Sequence, residues 1–463
     1  MPGEPKSRVT VLAKSTSVSS TPVKQGKTYP LSPLDHAMAR HSLHLVFYYA
    51  PAAATAAGMG RDRLKESLSE VLTNYPPVTG RLTSPAEEGG NWVVRCNDAG
   101  VRVLDARVGC SLEEWLRETP AAAERELAQW EAMGEDRFIW SPFCIQISEF
   151  ECGGVAIGVS CAHMYADATC ATLFVKAWGD VHRRACIANP PFFHPPGLCA
   201  RGPDLNLSTS SASFLQSKSS SPAAAPPSTC MSTATFRFPD AAVRRCLADL
   251  KSACPDATPF DALASLFWWR SRVAAAAGGP SSLTVCVDFR KMMYAPLPHG
   301  YFGNSLHFSR VDADLGPGGA DAWASAAGAL RAHAAGLVEE EFWSAVEWVE
   351  SRRDAATGAF APAFQMYGPD LTCASLDHLF SYGAAFGKDA AAPGEAGAGR
   401  PAHVAYHVGG AEGEGLILVL PGPPEEGGAT GRTVMVTLPQ DQTDRIRRDE
   451  VILNLGATPL FAE

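Results

Sequence analysis

Hydrophobic and polar positions alternate from His41 to Tyr49, where Leu43, Leu45 and Phe47 interleave with His44, Val46 and Tyr48, and a period of two predicts a strand. From Arg61 to Asn74 the period changes: Leu64, Leu68, Val71 and Leu72 share one helical face, and Tyr75-Pro76-Pro77 ends the helix because proline cannot continue it. Two β-rich runs, Cys144 to Cys152 and Val155 to Cys161, are joined through Gly153-Gly154 and predict a hairpin. Asp167 to Arg184 then reads as a helix. Further on, Thr258 can cap a helix whose first turn accepts Pro259, with Leu263, Leu266 and Phe267 as its apolar stripe. Leu283 to Val287 predicts a strand, Pro296 to Gly303 a turn, and Leu337 to Arg352 an amphipathic helix.

Other stretches lack such periodicity. Residues 1–30 are rich in Ser and Thr, and only weak helical spacing begins at Leu31-Ser32-Pro33-Leu34-Asp35. Between Asn189 and Ser232 the composition shifts to Pro, Ser and Ala; burial there cannot offset ordering entropy, so the stretch reads as a linker or crossover loop. It divides the chain into an N-terminal unit 1–188, a crossover 189–232 and a C-terminal unit 233–463. Lys388 to Arg400 and Pro421 to Gly431 read as Gly/Ala/Pro loops between the last strands, and no repeat of fixed period is present.

Composition narrows the classes. With 463 residues, 46% of them hydrophobic, the chain can bury a sizeable core. A net charge of −10 without a run of Lys or Arg argues against nucleic acid as a partner. No stretch approaches the roughly 20 apolar residues of a membrane span, and the start Met1-Pro2-Gly3-Glu4-Pro5-Lys6 has no apolar leader, so the expectation is a soluble, cytoplasmic protein. Thirteen cysteines, an odd number without a CxxC pair, fit reduced thiols. HExxH and GxSxG are missing, and Gly387-Lys388 lacks the rest of a P-loop, so neither a metal nor a bound nucleotide triphosphate is expected.

One constellation carries candidate chemistry. Among twelve histidines, only His163 has an aspartate four residues on, in His163-Met164-Tyr165-Ala166-Asp167. It falls where the hairpin's second strand ends and a helix begins, a corner from which side chains project off rigid backbone. Two readings stand side by side. His163 can act as a general base that takes a proton from an attacking hydroxyl or amine, a contribution of about 10²–10⁴ in rate. Alternatively Asp167 is only a helix cap and His163 a core histidine satisfied by hydrogen bonds.

A second segment bears on that choice. Val287-Asp288-Phe289-Arg290 closes a strand, and Ala295-Pro296-Leu297-Pro298-His299-Gly300-Tyr301-Phe302-Gly303-Asn304 follows. Together with the HxxxD, the long crossover, Leu31-Ser32-Pro33-Leu34-Asp35 and the Pro259 to Trp268 helix, it resembles the plant BAHD acyltransferase family across nearly the whole chain. The resemblance implies an α/β fold of two similar-sized mixed-sheet domains, of the CoA-dependent acyltransferase type, joined by the crossover loop around a channel. It implies acyl-CoA as a substrate with no resident cofactor, His163 as the base, Asp167 as the residue that orients the loop, and a monomer.

The family's second signature, Asp-Phe-Gly-Trp-Gly, falls on Ala385-Phe386-Gly387-Lys388-Asp389, where only Phe and Gly are kept. In the family that aspartate pairs with a distant arginine, so Arg290 is expected to find a substitute acid or water, unless Asp389 has moved to replace it. Leu376 stands where a Trp is common. A retained HxxxD beside a degraded second signature resembles the Eceriferum/Glossy branch, as do Arg95-Cys96-Asn97-Asp98-Ala99-Gly100-Val101-Arg102-Val103, Phe150-Glu151-Cys152-Gly153-Gly154 and Tyr367-Gly368-Pro369-Asp370-Leu371-Thr372. That branch implies an accessory factor of very-long-chain fatty-acid elongation in cuticular wax, acting with an elongase condensing enzyme, a 3-ketoacyl-CoA synthase, at the cytosolic face of the endoplasmic reticulum. The alternatives are a working acyl-CoA-dependent O- or N-acyltransferase and a module that only sequesters acyl-CoA. Under any of them His163 and the turn before Asn304 are expected to meet between the two halves.

Overall fold

The computed structural model describes residues 7–24, 26–83, 91–134, 139–193, 198, 208–220, 230–277, 279–315, 319–387, 399–425 and 428–461. Among these residues the fold is α/β, with two large mixed sheets. The first orders its strands Val9–Ser17, Val101–Val108, Phe143–Phe150, Val155–Ala162, Ser42–Tyr49 and His403–Gly409. The second orders Leu306–Asp314, Pro280–Asp288, Thr372–Ser375, Leu416–Pro424, Thr430–Pro439, Met231–Phe238 and Thr458–Leu460. Phe143–Phe150 and Val155–Ala162 form the expected antiparallel hairpin, turned at Gly153, whose φ of +83° suits a residue without Cβ.

Strand alternation explains how the sheets meet. Along Leu416–Pro424 the side chains of Leu416, Leu418 and Leu420 join the core shared with the first sheet, while Ile417 and Val419 face the Pro259–Ala274 helix on the other side. That helix begins with a reciprocal cap: Asp261 N donates to Thr258 Oγ1 (3.2 Å), and Thr258 N donates to Asp261 Oδ2 (2.9 Å). The Ala168–His182 helix is apolar nearly all round because it lies inside the first core, with Phe174 and Trp178 fully buried.

Three segments differ from their sequence reading. Val9–Ser17, within the Ser/Thr-rich start, is an edge strand whose side chains stay mostly exposed, so it carries no apolar alternation to detect. Pro421 to Pro424 is the end of a strand and not yet loop. Within the crossover, Thr209–Ser220 is a helix. Polar tertiary contacts hold it: Ser208 N donates to Ser344 Oγ (2.7 Å), Ser211 Oγ to the Glu341 carbonyl (3.1 Å), and the buried Lys218 Nζ to the Gly368 carbonyl (2.7 Å). Such partners lie more than a hundred residues away in sequence and leave no local signature.

His403–Gly409, from the C-terminal half of the chain, pairs antiparallel with Ser42–Tyr49 and completes the first sheet. Its histidines point at Glu124, which is almost fully buried: His407 Nε2 lies 2.8 Å from one carboxylate oxygen, and Tyr48 Oη donates to the other at 2.7 Å. Burial works to raise the Glu124 pKa, but the His407 hydrogen bond and charge, with His403 and Tyr48, outweigh it and lower it.

Buried histidines give the fold a pH signature. Burial first of all lowers His36, His307 and His403 to about 4, and His41 and His44 to about 3. These groups stay neutral in the fold but take up protons in the unfolded chain below its ordinary value near 6.5. The stability they protect is complete above that value and declines as pH falls toward 4. Urea unfolding is expected to give a free energy that drops steadily from pH 6.5 to pH 4.5; a flat or rising profile there contradicts this burial pattern.

Candidate functional site

The Val155–Ala162 strand delivers His163, and the Ala168–His182 helix starts at Asp167, so the corner between them is set by one hydrogen-bonded strand and one capped helix. Asp167 Oδ1 accepts from Cys170 N (3.0 Å) as an N-cap, and His163 N donates to the His41 carbonyl (3.0 Å). Neither side chain is exposed. The two sequence readings of Asp167 therefore begin from one fact: it is a cap.

It is also half of a charge junction. Asp167 Oδ2 lies 2.8 Å from Arg290 Nη2 and accepts from Ser305 N (3.2 Å). Arg290 pairs through Nη1 with Asp288, and its Nη2 also donates to the Gly303 carbonyl (2.9 Å). Burial alone would lower the Arg290 pKa, but Asp167 and Asp288 overcome that effect and raise it. The same arginine, with the hydrogen bond from His378, holds the Asp288 carboxyl below its ordinary range against burial. Substitute acids thus take the place of the lost aspartate, and Asp288 was in plain sight two residues before Arg290.

Asn304, from the C-terminal half of the chain, ties His163 to Asp35. Its Nδ2 lies 2.8 Å from both the His163 carbonyl and Asp35 Oδ1, and its backbone N donates to the same Asp35 oxygen at 2.7 Å. His163 and the turn before Asn304 therefore do meet. The Ser32–Asp35 capping box places Asp35 for this, with Ser32 N donating to Asp35 Oδ2 at 2.7 Å.

The imidazole itself faces a phenol. His163 Nε2 lies 3.3 Å from Tyr367 Oη, with ring centroids 5.7 Å apart. Burial lowers the His163 pKa, with Asp167 among the weaker opposing influences, so the ring is neutral at neutral pH. Tyr367 is held on several sides: Phe308 packs edge-on at 5.0 Å, Met366 N donates to His41 Nε2 (3.1 Å), and Lys218 holds the next carbonyl. A small pocket of about 20 Å³ lies beside it, lined by Leu43, Leu376, Leu418 and Val408 together with Tyr367 but not by His163. That is room for about one water. Sequence reasoning missed Tyr367 as a neighbour of His163, because 204 residues separate them.

The degraded second motif lies elsewhere. Ala385 accepts through its carbonyl from Arg183 Nη1 (2.8 Å), and Phe386 is buried edge-on against Trp178 (5.3 Å) and Tyr49 (5.4 Å). The segment approaches the helix so closely that a Cβ on Gly179 would stand 2.4 Å from the Ala385 carbonyl oxygen. Ala385 and Phe386 thus clamp the Ala168–His182 helix and form no hydrogen bond or ion pair with Arg290; Lys388 and Asp389 lie outside the described residues. Among the described residues no cluster of His, Cys, Asp and Glu is placed to hold a metal.

Known proteins are similar to this chain in sequence and in fold. The model of the Transferase family matches residues 7–451. A hydroxycinnamoyltransferase from Narcissus pseudonarcissus is 29% identical, covering 84% of this chain and 87% of its own. Protein ECERIFERUM 26-like from Arabidopsis thaliana is 26% identical, covering 94% of this chain and 93% of its own. Among solved structures, vinorine synthase aligns with a TM-score of 0.68 at 20% identity over 94% of this chain and 96% of that one. TRI101 of F. sporotrichioides, complexed with coenzyme A and T-2, aligns with a TM-score of 0.68 at 15% identity over 93% and 99%. At such identities the two structures speak for the fold.

Asp167→Asn separates the cap from the charge. The amide keeps an acceptor for Cys170 N but leaves Arg290 with one carboxylate, and a hydrogen bond to a charged group contributes about 1.5–3 kcal/mol. Chemical denaturation is expected to show a loss in that range, with Asp167→Ala losing more because the cap goes too. An Asn variant as stable as the parent would remove the junction from the account.

Proposed function

We propose, for a chain that belongs to the BAHD acyltransferase family, that it serves as an accessory factor of very-long-chain fatty-acid elongation in cuticular wax biosynthesis. Its partner is an elongase condensing enzyme, a 3-ketoacyl-CoA synthase, at the cytosolic face of the endoplasmic reticulum. One observation carries the reading: Tyr367 Oη stands 3.3 Å from His163 Nε2, where an acceptor's oxygen would have to sit. A general base must come within about 2.6–3.2 Å of the proton it takes. Here both rings are buried and the phenol is braced, so catalysis would require Tyr367 to leave. The ECERIFERUM 26-like relative, alike over 94% of this chain, supports the same direction. No described helix is long and apolar enough to cross a membrane.

A second reading has its own support. His163 is neutral, Asn304 and Asp167 hold its corner, and the hydroxycinnamoyltransferase relative spans 84% of this chain. In that case His163 takes the proton of an acceptor hydroxyl or amine. The acceptor bonds to the thioester carbonyl of acyl-CoA, and the CoA thiolate leaves and is protonated.

Co-expression with a condensing enzyme, in a host lacking long waxes, distinguishes the two. His163→Ala is expected to keep most of the shift in product chain length, within about twofold, provided circular dichroism shows it folded. A base-dependent transfer would lose about 10²–10⁴. Complete loss in the folded variant, or stoichiometric release of free CoA by the wild type with an alcohol or amine, overturns the accessory reading.

A further inference from the structure

A pocket of about 340 Å³ opens where the Pro33–Ala37 helix, the end of the Glu339–Ser351 helix, the crossover helix and residues 360–364 meet. His163 is not part of its wall. The size falls at the lower end of ordinary small-molecule sites, roughly 300–1,000 Å³.

Its charge is out of keeping with the rest of the chain. Arg40 and Arg352 both line it, and among the described residues no Asp or Glu does, although the chain as a whole has 49 acidic residues against 39 basic ones. Among the described residues neither arginine has a carboxylate partner. Arg352 is instead oriented by neutral groups: it donates to Gln216 Oε1 (3.0 Å) from the crossover helix and stacks on Trp348 at 5.2 Å. A concave surface with two unneutralised guanidinium groups selects for an anion.

The remaining wall is apolar and aromatic, made chiefly of Trp348, Phe360 and Phe364. Beneath it His36, 7% exposed, packs its ring 4.3 Å from that of Phe360 and leaves Nε2 without a partner among the described residues. Burial, then the charge of Arg353, keeps that ring neutral. A buried polar atom with no partner is costly unless something supplies one.

We infer that this pocket binds an anionic amphiphile, whose carboxylate or phosphate is taken by Arg40 and Arg352 and whose ring or short alkyl segment lies on Trp348, Phe360 and Phe364. The volume admits only such a piece and not a whole very long acyl chain. The site works whether or not His163 is a base, so its failure would leave the preceding reading untouched. It does have a physical route to the HxxxD corner: His36 lines the pocket, and the adjacent Asp35 accepts from Asn304, which holds the His163 carbonyl.

Isothermal titration calorimetry on the full chain tests this with three probes: octanoate, octyl phosphate and octanol. At least one of the two anions is expected to bind one to one, at least tenfold more tightly than the neutral alcohol, and the tighter of the two identifies the head group. The double variant Arg40→Gln/Arg352→Gln, whose changes are on exposed side chains, is expected to weaken the anion at least tenfold with an unaltered circular dichroism spectrum. Ala363→Trp, which puts bulk into the wall, is expected to weaken it as well. Equal binding of octanol, no binding of either anion, or an unchanged anion affinity in the folded double variant overturns the proposal.

Discussion

A guanidinium buried to 4% exposure cannot be left uncompensated, and the middle of this molecule is arranged around that requirement. Arg290 has two carboxylates, Asp167 from the start of a helix on the first sheet and Asp288 from the end of a strand in the second. Two acids on one arginine leave a surplus negative charge, which is shared out: Thr169 Oγ1 (2.8 Å), Ser305 Oγ (3.0 Å) and His378 Nε2 (3.2 Å) all approach Asp288. Leaving such a buried charge without any partner typically costs about 3–5 kcal/mol, so the two sheets have little freedom to slide past each other at this point.

The candidate site inherits its geometry from that junction. Asp167 is four residues from His163, and Asn304 follows the Gly303 carbonyl to which Arg290 donates, so the imidazole is positioned by charge chemistry that it does not itself share. A second lock lies on the far side, where His407 and Tyr48 bring Glu124 into the core and hold the His403–Gly409 strand on the first sheet. Between the locks, Lys218 of the crossover helix fixes the turn that carries Tyr367 over His163. An HxxxD can thus persist for structural reasons alone, since the aspartate caps a helix and balances a buried arginine whether or not the histidine moves protons.

Much of this was legible in local pattern. The hairpin, the Arg61–Leu72 and Ala168–His182 helices, and the Thr258 cap each rest on contacts within a few residues, which periodicity and capping chemistry report directly. Two kinds of feature were not. The Val9–Ser17 strand and the Thr209–Ser220 helix are held by hydrogen bonds to distant elements, with little apolar alternation of their own. The Tyr367 contact joins a turn to a strand end over 204 residues, and only the folded chain brings them together. Arg290 shows the intermediate case: its need for an acid followed from burying a charge and Asp288 lies two residues before it, but the pairing with Asp167 is made only in the folded chain.

The central claim is that His163 is a sealed part of the junction between the sheets. Its most direct test is the rate at which diethyl pyrocarbonate modifies individual histidines of the native protein at neutral pH, read by peptide mass spectrometry. His378, whose side chain is 33% exposed, serves as the internal reference. The account predicts that His163 stays essentially unmodified while His378 reacts. Modification of His163 at a rate comparable with His378 would show an open imidazole and contradict it.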